Sequence, residues 1–134
     1  MNVQELRIGN VLKDREGRLC KVEGISIDEL KCYAVKGATT SLPFSGIPLT
    51  EDILVKLGFE GDEDERHIVL GLGSGEELSI ELLSNTSCVT RSDPKKLGRD
   101  DYVYLKYPEY LHQLQNLYFA LTGTELNTDK LFER

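Results

Sequence analysis

Tryptophan is absent from this 134-residue chain, which also has a single methionine and three cysteines. None of its apolar runs approaches the about 20 residues that a membrane-spanning helix needs, and its first residues lack the apolar core of a secretory signal. Because Cys20, Cys32 and Cys88 are odd in number and widely spaced, they are typical of reduced thiols in a cytosol and not of a disulfide framework. These absences predict a cytoplasmic protein that does not associate with a membrane.

Positive charge is scarce as well: 16 Lys and Arg residues face 23 Asp and Glu residues, a net charge of −7. A chain with this excess of negative charge repels a phosphate backbone unless its basic residues are gathered on one face, so nucleic acid is a disfavoured partner. The chain is 40% hydrophobic and 29% charged, and at this length it can bury a core without disulfides or a metal. We therefore expect a single domain over residues 1–134, with sub-lobes at 1–48 and 49–134.

The first third of the chain has the pattern of short antiparallel strands. Runs rich in Val, Ile, Leu, Cys and Tyr are separated by turn residues. These runs predict strands at about Asn10 to Lys13, Leu19 to Ser26 and Leu30 to Lys36. Thr39 to Phe44 can add a further strand before nearby prolines limit the pairing. We expect these strands to form an SH3-like small β-barrel or a curled sheet.

A short connecting helix with both ends marked should follow. Thr50 is typical of an N-cap, and Gly58 is typical of the left-handed residue that ends a helix. Beyond it, alternating apolar residues flank a turn at Gly73 to Gly75, which predicts a hairpin and then two shorter strands. The strands of this second small antiparallel sheet are expected at His67 to Leu72, Glu77 to Leu83, Ser87 to Thr90 and Tyr102 to Lys106.

The last predicted element is a C-terminal helix of about four turns between Pro108 and Gly123. Pro108 suits the first helical position, and Gly123 suits the left-handed end. Leu111, Leu114, Tyr118 and Leu121 recur at spacings of three, four and three residues, and Leu117 widens the stripe, which predicts a buried face. The order of elements indicates an α+β fold.

The outer face of this helix lacks charge: from Tyr110 through Thr124 there is no Asp, Glu, Lys or Arg. We call this face the uncharged stripe, and its members are His112, Gln115, Asn116 and Phe119. Amide and aromatic side chains suit a surface that is desolvated but hydrogen-bonded. Either the helix lies in a groove of its own chain between the barrel and the second sheet, with the amides bonded to edge backbone groups, or the stripe binds a protein partner or a second copy in a homodimer, with Phe119 as its anchor.

The same helix carries the most specific part of a resemblance to a known family. The segments that carry it, in order, are Arg7 to Asn10, Lys21 to Ile25, Ile47 to Leu54 and Leu111 to Gly123. They resemble a family of short uncharacterised bacterial proteins that recur in gut anaerobes and in prophage or mobile-element neighbourhoods. The resemblance thins between about residues 60 and 105 and ends before Asn127. The resemblance implies a prophage or mobile-element neighbourhood, but it implies no activity, cofactor or catalytic residue.

Two other segments suggest alternative functions. Five carboxylates lie within residues 60–65, which suggests weak cation binding or a metal-dependent hydrolase, although the glycine of a calcium loop is missing. Arg91, Lys95, Lys96 and Arg99 form a basic cluster followed by tyrosines, which suggests a nucleic-acid-binding small barrel. For both segments, however, the favoured interpretation is a solvated surface.

The remaining motifs indicate no assembled chemistry. Gly71 to Gly75 lacks the spacing of a dinucleotide or nucleotide-phosphate loop, and His67 and His112 lack partners at zinc-ligand spacing. We therefore assign no catalytic, cofactor-binding or metal-binding residue. The expected function is that of a non-catalytic accessory or interaction protein, and its candidate interaction surface is the uncharged stripe.

Overall fold

The fold consists of two antiparallel sheets and two helices, as seen in a computed structural model that describes residues 6–25, 30–34, 44–61, 68–73, 76–92 and 100–132. The first sheet has the order β1-β2-β3, with β1 at Val11–Lys13, β2 at Leu19–Ile25 and β3 at Leu30–Ala34. The second has the order β4-β5-β6-β7-β8, with β4 at Glu60–Gly61, β5 at Ile68–Gly71, β6 at Glu76–Glu81, β7 at Thr86–Ser92 and β8 at Asp100–Leu105. The helices are α1 at Glu51–Lys56 and α2 at Leu111–Thr122, and a 3-10 turn follows at Asp129–Leu131. The predicted α+β class is confirmed.

The three predicted N-terminal strands form an antiparallel meander in which β2 shifts register between Val22 and Gly24. On the other side of β1, Lys13 and Ser45 exchange backbone hydrogen bonds of 3.0 and 2.9 Å. Within the described ranges these strands are not closed into a barrel. The further strand predicted at Thr39 to Phe44 lies, apart from Phe44, outside the described residues.

Strand β1 is buried on both of its faces. Val11 belongs to the main core, whereas Leu12 packs in a smaller cluster with Leu6, Cys20 and Val22. Because successive strand residues point to opposite faces, this short strand separates the two clusters and contributes to both. Val11 and Leu12 are each fully inaccessible to solvent.

Helix α1 has the two ends that its sequence predicts. The side-chain oxygen of Thr50 accepts a hydrogen bond from the backbone N–H of Ile53 at 3.3 Å. At the other end Gly58 has a φ of +102°, and the N–H groups of Gly58 and Phe59 donate to the carbonyls of Val55 and Leu54. This is a Schellman closure, and it returns the buried Phe59 to the core beside Leu54.

Helix α2 begins later than the sequence predicts, so the expected start at Pro108 is wrong. Tyr110 has extended backbone angles, and the chain before the helix pairs with the segment at Ile47 to Leu49 through two backbone hydrogen bonds. The side-chain oxygen of Gln113 accepts from the N–H groups of Glu109 and Tyr110 and so caps the helix. Tertiary pairing therefore shortens α2 to 12 residues, about three turns.

The second sheet has the predicted hairpin, with Ile68 opposite Ile80 and Leu70 opposite Leu78. Strands β7 and β8 are longer than expected and continue to Ser92 and from Asp100. The connection at residues 93–99 and the hairpin tip at residues 74–75 lie outside the described residues, as does His67.

One buried cluster joins the second sheet to both helices and to β1. From α2 it contains Leu111 and Leu114, which are fully inaccessible. From the rest of the chain it contains Val11, Ile47, Leu54, Leu57, Phe59, Ile68, Leu72, Leu78, Ile80 and Leu126. Leu111 and Leu114 of the apolar stripe predicted for α2 therefore lie in the core beside β1, and Leu117 and Tyr118 pack partly buried against it. The predicted burial of Leu121 is wrong: its side chain is 36% exposed, because the last turn of α2 extends beyond the core cluster.

Leu114→Ala should lower the free energy of unfolding by about 2 to 5 kcal/mol, because it removes a fully buried side chain and leaves a cavity. Leu121, on the same helix, is 36% exposed, so Leu121→Ala should lose less than half as much. Urea denaturation of both variants gives the comparison. Equal losses would contradict the assignment of the buried face.

Candidate functional site

Gln115 on α2 completes the backbone hydrogen bonding of β1. Its side-chain oxygen accepts from the N–H of Val11 at 2.7 Å, and its side-chain nitrogen donates to the carbonyl of Gly9 at 3.3 Å. Gly9 and Val11 are two residues apart, so these groups lie on the same edge at which Lys13 meets Ser45. The amide of Gln115, only 2% exposed, thus bonds to this edge as the peptide groups of a neighbouring strand would.

Asn116 on the next position of α2 joins a polar cluster at the start of the chain. Its side-chain oxygen accepts from Nη1 of Arg7 at 2.9 Å and from Nδ2 of Asn10 at 3.0 Å. The side-chain oxygen of Asn10 in turn accepts from the backbone N–H of Arg7 at 2.6 Å, and Nη2 of Arg7 pairs with Glu125. We call Arg7, Asn10, Asn116 and Glu125 the Arg7 cluster.

Phe119 lies where the uncharged stripe reaches the surface. The guanidinium carbon of Arg7 is 4.3 Å from the centre of its ring, a cation–π distance. Phe119 is 40% exposed, and Ile8, the neighbour of Arg7, is 67% exposed. The Arg7 cluster therefore ends at a partly apolar surface.

His112 lies at the opposite end of the stripe and is buried. Its ring stacks on that of Tyr110 with centroids 5.9 Å apart and an angle of 11° between the planes. Gly46 packs against this pair: a Cβ there would lie 2.9 Å from Cδ1 of Tyr110 and 3.1 Å from Cε1 of His112. The absence of a side chain at position 46 is therefore what lets the two segments approach.

The four stripe residues thus lie in a gradient of burial. His112 and Gln115 are inside the chain, Asn116 is half-buried and Phe119 is the exposed end. Gln115 is bonded to edge backbone groups of β1, as the intramolecular interpretation of the stripe requires. The part of the stripe that a partner could reach in this structure is the end formed by Asn116 and Phe119.

A groove of about 430 Å³ lies beside this end of the stripe. Its described lining residues are Arg7, Lys106, Tyr107, Pro108, Gln113, Asn116 and Leu117. They provide two cations, two amides and an apolar wall, and none of them carries a negative charge. Burial raises the pKa of the Tyr107 phenol above its ordinary value of 10.0, and the negative charge of Glu109 raises this pKa further.

Sequence reasoning identified Asn116 but missed Arg7, Asn10 and Lys106 as its companions. Arg7 and Asn116 are 109 residues apart, and no local spacing connects them. The available signal in the sequence was Gly9, a residue typical of turns. In the structure Gly9 has a φ of +93°, and the turn brings the side-chain oxygen of Asn10 to the N–H of Arg7. That signal predicts a turn but does not indicate what the turn faces.

The residues behind the alternative functions are mostly outside the described part of the chain. This holds for residues 62–65 of the acidic stretch and for residues 93–99, which include Lys95, Lys96 and Arg99 of the basic cluster. Among the residues that are described, no three His, Cys, Asp or Glu side chains are grouped to hold a metal ion. In the same residues, no helix has the length and hydropathy to cross a membrane.

Comparison with known proteins does not add to this geometry. No protein-family model, no curated protein and no solved structure matches the chain at a significant level.

Gln115→Ala should cost about 1 to 3 kcal/mol of stability, because it leaves the N–H of Val11 and the carbonyl of Gly9 without their partner inside the protein. Gln115→Met restores most of the volume but not the hydrogen bonds and should lose a similar amount. Thermal or urea unfolding measures both. Full recovery of stability in the Met variant would mean that packing, and not hydrogen bonding, is what Gln115 supplies.

Tyr107 should ionise above the ordinary tyrosine pKa of 10.0 in the folded protein. Because the folded pKa exceeds the unfolded one, the neutral phenol contributes its stability in full below pH 10, and this contribution is lost as the pH rises through the folded pKa. Tyr107→Phe should remove a step above pH 10.0 from the ultraviolet titration of the six tyrosines. Loss of a step at or below pH 10.0 would contradict the assignment.

Proposed function

We propose that the protein is a non-catalytic interaction module that binds an acidic segment of a partner protein in the groove beside α2. The observation that carries the proposal is the groove of about 430 Å³. It is lined by two cations, Arg7 and Lys106, together with Tyr107, Pro108 and Leu117. Its volume lies within the range of roughly 300 to 1,000 Å³ of ligand sites. The combination suits a carboxylate next to an apolar side chain.

Charge complementarity supports this choice of partner. The whole chain has a net charge of −7, yet the described lining of the groove contains two cations and no anion. Lys106 is exposed, so its ammonium is accessible to a partner carboxylate. Because Arg7 is paired with Glu125, Lys106 supplies the charge that attracts an acidic segment. The net negative charge of the chain repels acidic surfaces elsewhere, which favours one docking position.

The Arg7 cluster supports the proposal through preorganisation. Asn116 and Glu125 bind the guanidinium of Arg7, and the ring of Phe119 lies against it. An arginine that is already held loses less conformational entropy when a partner binds than a free one does. Arg7 therefore serves as a positioned wall of the groove, and Lys106 supplies the accessible charge.

We further propose that the N-terminal strands form an SH3-like small β-barrel or a curled sheet. Strand β3 pairs with one side of β2, whereas Ser45 pairs with the far side of β1. The chain thus leaves the sheet at one edge and re-enters it at the other, which is the connection that closing a small barrel needs.

We also propose that the protein belongs to the family of short bacterial proteins from mobile-element neighbourhoods, which segments such as Leu111 to Gly123 support. We propose a cytoplasmic location as well, which the odd number and wide spacing of Cys20, Cys32 and Cys88 support. A homodimer with Phe119 as its anchor is a second occupant of the same surface. Its support is the 40% exposure of Phe119 next to Ile8.

Lys106→Glu should weaken the binding of acidic peptides by at least about fivefold, because it replaces an attractive charge with a repulsive one. The probes are capped hexapeptides with Glu or Asp beside Leu or Phe, and a matched set with Lys in place of the acids. Amide chemical shifts of the full chain give the affinities. Acidic peptides should shift the resonances of residues 106–117, and the affinity should fall with added salt.

Lys56→Glu is the control, because it makes the same charge change at an exposed position on α1. Its affinity for the acidic peptides should stay within about twofold of the wild type, since a distant exposed charge is screened. The proposal fails if no acidic peptide shifts the groove resonances, or if the two Glu variants weaken binding equally.

A further inference from the structure

A second concave site lies on the face of the five-stranded sheet that points away from the core. Residues 79, 88 and 104 are direct neighbours across β6, β7 and β8, and they alternate with the row of Leu78, Val89 and Val103 on the other face. The site has a volume of about 250 Å³. Its described lining residues are Ser79, Glu81, Ser84, Thr86, Ser87, Cys88 and Tyr104.

Hydroxyl groups and one carboxylate dominate this pocket. Ser84 and Thr86 share a hydrogen bond of 2.9 Å, and Thr86 donates to the carboxylate of Glu81 at 3.4 Å. Glu81 and Thr86 are also directly opposite each other in the β6–β7 register. Glu81 and Thr86 lie on paired strands and Ser84 lies in the turn between them. Together they present both donors and acceptors in a small space.

Tyr104 adds an aromatic surface to one side of the pocket. It is 78% exposed, so the apolar faces of its ring are open to a ligand while its hydroxyl is available as a donor and acceptor. The central strands of the sheet support this position, because Tyr104 pairs with Cys88 and Cys88 with Ser79. An exposed aromatic ring beside a hydroxyl-lined hollow is not what the folding of this sheet itself requires.

We propose that this pocket binds a neutral saccharide ring. The C–H face of a pyranose is apolar and can pack on the ring of Tyr104, while its hydroxyls exchange hydrogen bonds with Glu81, Thr86, Ser79 and Ser84. Ser87 is buried, and its hydroxyl donates to the backbone carbonyl of Leu105. A carboxylate acceptor makes charge-assisted hydrogen bonds to a sugar hydroxyl, which are stronger than neutral ones. The chemistry of the pocket is thus complementary to a polyol on its polar side and to a C–H surface on its aromatic side.

The charge and size of the pocket select against other ligands. Glu81 is negative, and no described lining residue is positive, so a phosphate or a carboxylate is repelled. The volume of about 250 Å³ is below the roughly 300 to 1,000 Å³ of sites for larger ligands, which favours one or two sugar rings. The pocket shares no lining residue with the groove that contains Lys106, so this inference does not depend on the proposed function.

Titration of the full chain with glucose, galactose, mannose, N-acetylglucosamine and their disaccharides tests the proposal. Amide chemical shifts should move at residues 79–88 and 104, with a dissociation constant on the order of 1 mM for the best sugar. Tyr104→Ala should weaken this sugar at least about tenfold, because the packing surface is lost. Tyr104→Phe should retain most of the affinity, and Glu81→Gln should weaken it by about threefold or more.

Val103→Ala is the matched control. Val103 is 59% exposed, next to Tyr104 on the same strand but on its opposite face, so its truncation should leave sugar binding unchanged. Unchanged melting of each variant shows that the sheet is intact. The proposal is overturned if no sugar in the panel binds, if Tyr104→Ala binds as the wild type does, or if free adenine or uracil shifts the pocket resonances while every sugar fails.

Discussion

The hydrogen bonds between the Gln115 side chain and strand β1 are the constraint on which the rest of the structure depends. The strand has three residues, and both Val11 and Leu12 are fully buried, so its edge groups near Val11 have little access to water. A buried backbone group without a partner is costly. The Gln115 amide supplies both a donor and an acceptor at 3.3 and 2.7 Å. This contact fixes α2 against β1 and thereby joins the main core to the smaller cluster on the other side of the strand.

The absence of charge on α2 follows from this position. A Lys or Glu in place of His112 or Gln115 would enter a buried site without a compensating partner, which proteins avoid. An amide can satisfy backbone groups there without that cost. Towards its C-terminal end the helix contacts a charged residue, Arg7, through the half-buried Asn116 and the exposed Phe119. Most of the uncharged stripe is therefore buried inside the chain, whereas Phe119 at its C-terminal end is exposed.

Two concave sites with opposite chemistry result from this architecture. The groove beside α2 combines Lys106 and Arg7 with an apolar wall, because the segment after β8 runs past the end of the Arg7 cluster. The pocket on the outer sheet face combines Glu81 and hydroxyls with the Tyr104 ring, because alternation along β6, β7 and β8 places Ser79, Glu81, Thr86 and Tyr104 on the face away from the core. Strand β8 and the segment that follows it contribute to both sites. Its position beside β7 thus sets the geometry of a groove whose described lining has two cations and of a pocket whose described lining has one carboxylate.

The sequence by itself determined the local elements. Period-two alternation predicted the strands of both sheets except the two-residue strand β4, and Thr50 and Gly58 predicted the ends of α1, because these signals act between residues close in the chain. It also identified the stripe on α2 and the alternative that its amides bond to edge backbone groups. Tertiary structure alone decided that α2 begins at Leu111 and not at Pro108, since the pairing of Tyr110 with Pro48 keeps the preceding residues extended. It alone decided that Arg7 and Asn10 meet Asn116, because contacts across more than 100 residues arise from packing and leave no periodic trace in the sequence.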